Sequence, residues 1–519
     1  MADKTHPTIG VIGAGTMGSG IALVALYAGC EVYLQDAYPQ MLEKASEYIK
    51  SFLEKKDQAA SFKKLHLTSA LEGLTPAQIV IEAAPELLEL KQDLFRQLDA
   101  ICAPTAILAT NTSTLSVTAI ASATQHRSRV AGLHFFNPAA VLPLVEVVRA
   151  AQTSPETMAA LVDWVQALGK TPVVTGDTPG FIVNRVARPF YGEALRLLGE
   201  GVASHEQIDQ IVEQGGGFRM GPFKLMDLIG LDVNAAAMRS LFDQTFGEPR
   251  YRPHWLQAQK LAEGALGRKS GRGFYEYKDE AGGMKDKKTK LEVGGGSGKL
   301  LISEGTWAHG LAGLCRQAGY EVDSVPDPEQ QPVACFVVAG RGEEAAGLVA
   351  WYDQSLPPEV PLFVQSADID LSEAASWVQH PQRLIGFDGL FFASGAVATL
   401  VALEGGLRDH VDRLMHRLGK ISVWVKETPA LVLPRIVCQL ANEAAFAELE
   451  GVADGATIDL AMKLGVNYPR GPVEWGLALG YDKVQAVLDH LFNQYHEERY
   501  RACVLLRQRA RSGQNAKLK

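Results

Sequence analysis

His134 in "GLHFFNP" and Glu146 in "LPLVEVV" are residue types suited to moving a proton. An imidazole with an unperturbed pKa near ~6.5 can take and return a proton at neutral pH, provided a partner orients its second ring nitrogen. "LPLVEVV" has the period of a strand in which Glu146 interrupts an apolar face, and a carboxylate in so apolar a setting has to be paired. Taken singly, the histidine reads more often as a satisfied core residue and the glutamate as a strand-end charge. A third feature reverses that order: Gly13-x-Gly15-x-x-Gly18, with Asp36 following 18 residues after Gly18. This spacing gives a tight turn, backbone room for a pyrophosphate, close helix–strand packing and an acid placed for an adenosine ribose diol. The chemistry these residues could do together is oxidation of an alcohol by hydride transfer to a dinucleotide, with His134 taking the hydroxyl proton. A carboxylate at position 36 repels a 2′-phosphate and no Arg or Lys stands at 37 or 38, so NAD is expected rather than NADP.

The elements that must position these groups are legible around them. Ile9–Ile12 reads as a strand and Gly13, Ala14, Gly15, Thr16, Met17 and Gly18 as the phosphate-side turn. A helix then runs through Ile21–Leu26 and stops at Gly29, and a second strand covers Glu31–Gln35. Further strands are expected at Ile79–Ile81, Ile107–Ala109 and Val130–Leu133. Each is followed by a polar cluster: Glu82–Glu86, Asn111–Ser113 and His134–Asn137. Ligands of open α/β sheets bind beyond the carboxyl ends of the strands, so these clusters are expected to converge on one crevice.

The chain has 519 residues, 47% hydrophobic and 21% charged, which suits several ordinary domains rather than one core, long disorder or a membrane protein. A net charge of −9 with no basic block argues against nucleic-acid and anionic-membrane partners. Six scattered cysteines show neither CxxC nor a regular spacing, so no metal site and no disulfide framework is expected, only buried thiols. No apolar leader precedes the first strand and no apolar run reaches ~18 residues, so a cytoplasmic location is expected.

"IEAAPE", "TNTSTL", "GLHFFNPAAVLPLVEVV", "DTPGFIVNR", "GPFKLMDLIGLD" and "GRKSGRGFYEY" follow the Gly motif in the order found in L-3-hydroxyacyl-CoA dehydrogenases, which residues 8–278 resemble almost continuously. The resemblance implies a Rossmann-type α/β domain at 1–183 and a small all-α domain at 184–280. It implies oxidation of a (3S)-3-hydroxyacyl-CoA to the 3-ketoacyl-CoA with NAD, as in fatty-acid β-oxidation, and an acyl-CoA as partner. Carried over, His134 is the catalytic acid/base, Glu146 its hydrogen-bond partner, and Ser113 and Asn184 orient the 3-hydroxyl or thioester. Glu86, Lys91, Asn137 and Lys269 resemble the family's nicotinamide-side contacts, with Ser113 close by and Asp36 at the adenosine end. Two other classes fit less well. A non-catalytic NADH-binding protein would not need the intact His134, Glu146, Ser113 and Asn184, and a sugar-acid dehydrogenase would usually employ a lysine base.

The phrase "DTPGFIVNR" at 177–185 returns as "ETPALVLPR" at 427–435. At this offset of 250, Leu168-Gly169-Lys170 maps to 418–420, Glu193-Ala194 to 443–444, Ile208-Asp209 to 458–459, and Gly221-Pro222 to 471–472. One register over so long a stretch marks a duplicated helical domain. The expected order is therefore a linker at 281–300, a degenerate Rossmann-like α/β domain at 301–428 and a second all-α copy at 429–519. Gly340-Arg341-Gly342 reads as a failed phosphate loop, because Glu343 and Glu344 stand where a phosphate-binding helix should begin. Asp388 falls where His134 would, Pro434 replaces Asn184, and Ala430 lacks the freedom of Gly180. Long bacterial members of the family carry such a second helical copy, 3-hydroxyadipyl-CoA dehydrogenase of phenylacetate catabolism and 3-hydroxybutyryl-CoA dehydrogenases being the forms it looks like. An intrachain pseudo-dimer of helical domains is expected, beside a possible homo-oligomer.

Overall fold

The computed structural model describes residues 6–277 and 291–513. Of the expected linker, residues 281–290 lie outside the described residues. The first sheet has eight strands: β1 (Ile9–Ile12), β2 (Val32–Gln35), β3 (Leu65–Thr68), β4 (Ile79–Glu82), β5 (Ile107–Thr110), β6 (Val130–Phe135), β7 (Leu144–Arg149) and β8 (Thr171–Gly176). Their order is β3-β2-β1-β4-β5-β6-β7-β8, parallel throughout except where β6 meets β7. β1 and β4 are short runs of buried residues, as strands covered on both faces should be. The helix Thr16–Tyr27 and the amphipathic helix Pro39–Lys55 pack on one face, the latter through Leu42, Ala45, Ile49 and Leu53. The helix Leu88–Ile101 covers the other through Phe95 and Leu98.

A second sheet has seven strands: β9 (Lys299–Ile302), β10 (Glu321–Asp323), β11 (Ala334–Val337), β12 (Leu362–Gln365), β13 (Leu384–Phe387), β14 (Val397–Ala402) and β15 (Ile421–Trp424). The order β10-β9-β11-β12-β13-β14-β15, again with one antiparallel step at β13–β14, repeats the first sheet without its β3 edge. This is a second α/β domain, its strands running from Lys299 to Trp424.

The topology corrects the reading of Gly340-Arg341-Gly342. That turn follows β11, which takes the place of β4, whereas the place of β1 belongs to β9. The true counterpart of the Gly loop is Ser303-Glu304-Gly305-Thr306-Trp307. There Trp307 is buried against Gly340, whose Cβ would lie 2.5 Å from the indole nitrogen. A buried indole thus stands where the first domain has the half-buried Met17.

The described residues divide into two compact units, Met1–Val186 with Ala447–Asn467, and Ala187–Phe446 with Tyr468–Lys519. In the first unit the helix Gly455–Gly465, from the second helical copy, packs on β7, β8 and the short helix Val183–Val186. In the second unit the helical copies meet through buried charge. Arg435, fully buried, donates to Glu193 at 2.8 Å and to Glu200 at 2.9 and 3.0 Å, while Arg250 and Tyr251 reach Glu443 at 2.7 and 2.6 Å. Glu193 and Glu443 are equivalent residues at the offset of 250, and each is a buried acceptor. Ser204 caps the helix His205–Gln210 in a capping box with Gln207, as its sequence spacing indicated.

The repeated turn keeps its backbone conformation although its glycine is lost. Gly180 has φ +76°, and Ala430 adopts nearly the same value, +63°, followed by Leu431 at +54° where the first copy has Phe181 at +49°. The second copy keeps the left-handed turn at a cost of about 1 kcal/mol or more for its non-glycine residue. All six cysteines are buried and free. Among the described residues no helix is long and apolar enough to cross a membrane, and no cluster of His, Cys, Asp and Glu is placed to hold a metal ion.

Candidate active site

The loop after β1 is built to approach a phosphate closely. Gly13 has φ +92°, and a Cβ there would lie 2.7 Å from the Ala83 carbonyl oxygen. At Gly18 a Cβ would lie 1.7 Å from the Gly13 carbonyl, so only glycine lets the helix start this close to the strand. Gly15 differs: nothing lies within 4 Å of its would-be Cβ, which leaves open space over the first turn. Gly15 is also the N-cap, and no side chain caps the helix, so the first amides of Thr16–Tyr27 are available to an anion. Thr16 is exposed and Met17 half-buried on that turn. Asp36, at the carboxyl end of β2, accepts from the Ala14 amide at 2.7 Å and from the Tyr38 amide at 2.9 Å. This cradle fits NAD: open backbone for the pyrophosphate and a carboxylate at the ribose end.

The loops after β4 and β5 are tied together by two carboxylates. Glu82 is fully buried and accepts from Lys91 Nζ at 2.6 Å, the Ala84 amide at 2.6 Å and Thr110 Oγ1 at 2.7 Å. Glu86 Oε1 accepts from Thr112 Oγ1 at 2.5 Å, from the Ser113 and Thr114 amides at 3.0 Å each, and from Thr114 Oγ1 at 2.9 Å. Its other oxygen lies 3.3 Å from Lys91 Nζ. Burial pushes the Glu86 carboxyl upward, but Lys91 and the bonds from Thr112 and Thr114 outweigh it and hold the group below its ordinary range. Lys91 is itself 1% exposed, so it is a buried anchor beneath Glu86. Asn137 is exposed just beyond β6. Lys269 belongs to the second unit, half-exposed and paired with Asp232 at 2.6 Å.

His134 and Glu146 lie on neighbouring strands. His134 and Glu146 stand directly opposite each other in the antiparallel β6–β7 ladder, so one register fixes both side chains on one face. His134 Nδ1 is 2.7 Å from Glu146 Oε2, with the histidine 6% exposed and the glutamate fully buried. The second oxygen of Glu146 accepts from the backbone amides of Ile182 and Val183, both at 3.0 Å. These donors come from the tight turn of "DTPGFIVNR", and they satisfy a charge that the apolar strand could not otherwise hold. The same turn carries Asn184, whose Nδ2 donates to the Ser113 carbonyl at 3.2 Å. Asn111 Oδ1 accepts from the Phe135 amide at 2.8 Å, joining the ends of β5 and β6. The rings of Phe136 and Phe181 flank the imidazole at 4.5 and 5.9 Å.

His134, Glu146, Ser113, Asn184, Glu86 and the Gly loop with Asp36 are thus gathered beyond the carboxyl ends of one sheet. Sequence reasoning missed the two amides that hold Glu146, because backbone donors leave no residue signature. It also missed Asp177, which opens the repeated phrase. Its carboxylate accepts from the Val117 and Thr118 amides at 2.9 and 2.6 Å and so caps the N-terminus of the helix Val117–Ala121. Glu427 does the same in the copy, accepting from the Ser372 amide at 2.7 Å.

The family model for the 3-hydroxyacyl-CoA dehydrogenase NAD binding domain matches residues 8–178. That for the C-terminal domain of the same family matches twice, at 180–277 and 431–518. The chain belongs to the 3-hydroxyacyl-CoA dehydrogenase family. It is 37% identical over 516 residues to 3-hydroxyadipyl-CoA dehydrogenase of Escherichia coli K12, covering 97% of both chains. It is 41% identical over 276 residues to a probable 3-hydroxybutyryl-CoA dehydrogenase of Deinococcus radiodurans, covering 52% of this chain and 99% of that one. The crystal structure of 3-hydroxybutyryl-CoA dehydrogenase from Escherichia coli K12 superposes with a TM-score of 0.79 at 35% identity, covering 98% of both chains. As a member of this family the protein is an NAD-dependent oxidoreductase that converts (3S)-3-hydroxyacyl-CoA to 3-ketoacyl-CoA. In the second α/β domain different residues stand at the positions of His134 and Glu146. Asp388 stands at the end of β13 where His134 would, buried and bonded to the Leu390 and Phe391 amides. By the register of β13 and β14, Thr399 takes the place of Glu146.

Proposed function

We propose that His134 and Glu146 carry out the proton transfer of the dehydrogenase reaction, with Ser113 and Asn184 orienting the 3-hydroxyl and thioester. The bond between His134 Nδ1 and Glu146 Oε2 carries this reading. With the Nδ1 proton donated to Glu146, Nε2 is the unprotonated nitrogen and can accept the proton of the substrate's 3-hydroxyl. NAD, when bound, supplies the acceptor for the hydride leaving C3. The Ile182 and Val183 amides hold Glu146 in place, and Glu146 in turn stabilises the imidazolium that forms. Phe136 and Phe181 limit water around the ring. In the reverse direction the imidazolium returns its proton to the carbonyl oxygen. Gly13, Ala14, Gly15, Thr16, Met17 and Gly18 receive the pyrophosphate and Asp36 the ribose diol. Glu86 is assigned to the nicotinamide side with Lys91 as its anchor, and Asn137 and Lys269 remain proposed contacts.

The proposed substrate is 3-hydroxyadipyl-CoA, in phenylacetate catabolism, because similarity to an enzyme of that name spans nearly the whole chain. The alternative is 3-hydroxybutyryl-CoA, named for the superposing crystal structure. The working boundaries are 1–183, 184–280, 281–300, 301–428 and 429–519, the location is cytoplasmic, and any homo-oligomer comes in addition to the internal pseudo-dimer. The test is loss of NADH absorbance on mixing with acetoacetyl-CoA. Wild type should turn over, whereas His134→Ala should bind NADH and lose about 10³-fold or more of kcat. NADH binding by wild type without turnover would instead favour a binding protein. For the substrate, kcat/KM should favour the adipyl over the butyryl compound by more than about 100-fold, beyond what single methylenes achieve.

A further inference from the structure

The two α/β domains share one topology, so the second is an internal control that separates contacts the fold requires from contacts the site requires. Asp99 pairs with Arg129 at 2.8 Å in the first domain, and at a common offset of 254 Asp353 pairs with Arg383 at 3.0 Å in the second. That buried pair belongs to the fold. The pair of Glu82 and Lys91 does not recur. β11, which takes the place of β4, holds no carboxylate, and the offset that carries Asp99 to Asp353 carries Lys91 to Ala345, which is fully buried. The same strand and helix therefore form around apolar residues, as the exchange of a buried ion pair for apolar groups generally permits.

The three N–H donors of Lys91 Nζ meet three acceptors: Glu82 Oε1 at 2.6 Å, the Ala84 carbonyl at 3.3 Å and Glu86 Oε2 at 3.3 Å. Glu82 Oε2 accepts from Thr110 Oγ1 at 2.7 Å, and that hydroxyl accepts from the Thr112 amide at 3.2 Å. One buried carboxylate thus governs two routes to the 112–114 loop. The first runs through Lys91 to Glu86, whose Oε1 holds the Ser113 and Thr114 amides, and the second runs through Thr110. The loop ends at the Ser113 carbonyl, which accepts from Asn184. All of these residues belong to the first compact unit.

We propose that the buried Glu82–Lys91 pair is a positioning device, which sets Glu86 and Ser113 from beneath without touching NAD or substrate. The proposal rests on the reading that Glu86 serves the nicotinamide side and Ser113 the substrate. Glu82 is fully buried and Lys91 1% exposed, so neither presents surface to a ligand. Glu82→Gln keeps the shape and the hydrogen-bonding capacity of the side chain but removes its charge. Lys91 is then left with Glu86 as its one carboxylate partner among these contacts. The ammonium moves toward it and draws Glu86 away from the Ser113 and Thr114 amides. A displacement of about 1 Å in a positioning group can cost about 10²-fold in rate.

The test titrates the full chain with NADH and with ADP-ribose, which lacks the nicotinamide. In Glu82→Gln, NADH should bind about tenfold more weakly or worse and ADP-ribose within about twofold of wild type, because the Gly loop and Asp36 are untouched. With saturating NADH, kcat on acetoacetyl-CoA should fall about 10–100-fold, while Tm without ligand stays within about 4 °C of wild type. Glu82→Asp, which restores the carboxylate, should recover part of each loss. Equal weakening of NADH and ADP-ribose, or NADH affinity and kcat both within about threefold of wild type, would overturn the proposal. If Glu82→Gln does not fold, the neutral double variant Glu82→Gln/Lys91→Met is judged by the same criteria, and its failure to fold would make the pair structural. Wild type that binds neither ligand sinks the reading of the Gly loop, and Glu86→Ala with an unchanged ratio of the two affinities sinks the assignment of Glu86. A normal wild type and a responsive Glu86→Ala beside a silent Glu82→Gln sink the positioning role alone.

Discussion

Glu146→Gln separates charge and tautomer control from simple bonding. The amide oxygen of the substituted side chain can still accept from the Ile182 and Val183 amides, which lie 3.0 Å from Glu146 Oε1, so the turn that holds the residue need not move. The other end of the side chain, 2.7 Å from His134 Nδ1, then becomes an N–H donor. Its pairing requires Nδ1 to be the bare nitrogen and places the imidazole proton on Nε2, where it blocks acceptance of the substrate proton. Loss of the carboxylate also removes the partner of the imidazolium in a site where the histidine is 6% exposed and the glutamate fully buried. The corresponding acid-to-amide change in a Ser-His-Asp triad costs about 10⁴-fold, so a loss of ~10³–10⁴ in kcat, or about 4–5 kcal/mol, is expected here. Stopped-flow reduction of acetoacetyl-CoA with saturating NADH measures it, and equilibrium NADH titration should be unchanged because the Gly loop is untouched. Glu146→Ala, which strands two amides and a buried imidazole, should in addition lower stability by ~2–4 kcal/mol. A Glu146→Gln enzyme that folds and retains activity within tenfold of wild type would refute the orientation argument.

Three further outcomes are expected. Asp36→Ala removes the acceptor of the Ala14 amide and should weaken NADH binding by about 10–100-fold without improving NADPH, as fluorescence titration with both would show; unchanged NADH affinity would contradict the ribose-end assignment. Asp388 is raised from 3.8 to about 7 by burial, against the two amides that favour its charge, so its penalty grows as pH rises from 4 to 7 and is constant above. Asp388→Asn keeps an oxygen for both amides and should gain about 2–4 kcal/mol in urea unfolding at pH 8, taking about 1.36 kcal/mol per pH unit, but nothing at pH 4; no gain at pH 8 counts against it. Glu193→Ala leaves Arg435 buried with one carboxylate fewer and should cost about 3–5 kcal/mol, read by the same unfolding assay, with a loss under 1 kcal/mol as the contrary result.

What could be read from sequence was what depends on local pattern. β1, its Gly turn and β2 fall within 30 residues, and the short apolar runs ending in Glu82, Thr110 and His134 declare strands with polar ends. Glu146 stood out because a charge inside "LVEVV" demands a partner. What depends on strand order was not legible. Gly340-Arg341-Gly342 looks like a phosphate loop until the sheet places β9, not β11, at the position of β1. Lys91 in sequence is an ordinary helix charge, yet Glu82 and Glu86 draw it to 1% exposure. Ala430 lacks the freedom of Gly180, and local pattern gives no sign that the surrounding packing holds it at φ +63° in the same turn.

The persistence of that turn indicates what the second copy is for. In the first unit the segment 447–467 lies against the turn that feeds amides to Glu146. The Gly176 amide donates to the Val452 carbonyl at 3.2 Å, Arg185 pairs with Glu450 at 2.8 Å, and Gly465 sits so close to Leu144 and Val183 that a Cβ would come within 2.9 and 3.1 Å of them. The second unit repeats the set at the offset of 250, with the Lys426 amide on the Val202 carbonyl at 2.9 Å and Arg435 on Glu200. Each copy therefore braces the turn belonging to the other. Bracing depends on shape, buried charge and backbone bonds, none of which needs Asn184 or a histidine. Because both copies are covalently joined, the brace behind Val183 is present at any protein concentration, whereas a separate subunit would supply it only by mass action. The second "ETPALVLPR" thus preserves the architecture that makes the first "DTPGFIVNR" a rigid holder for Glu146.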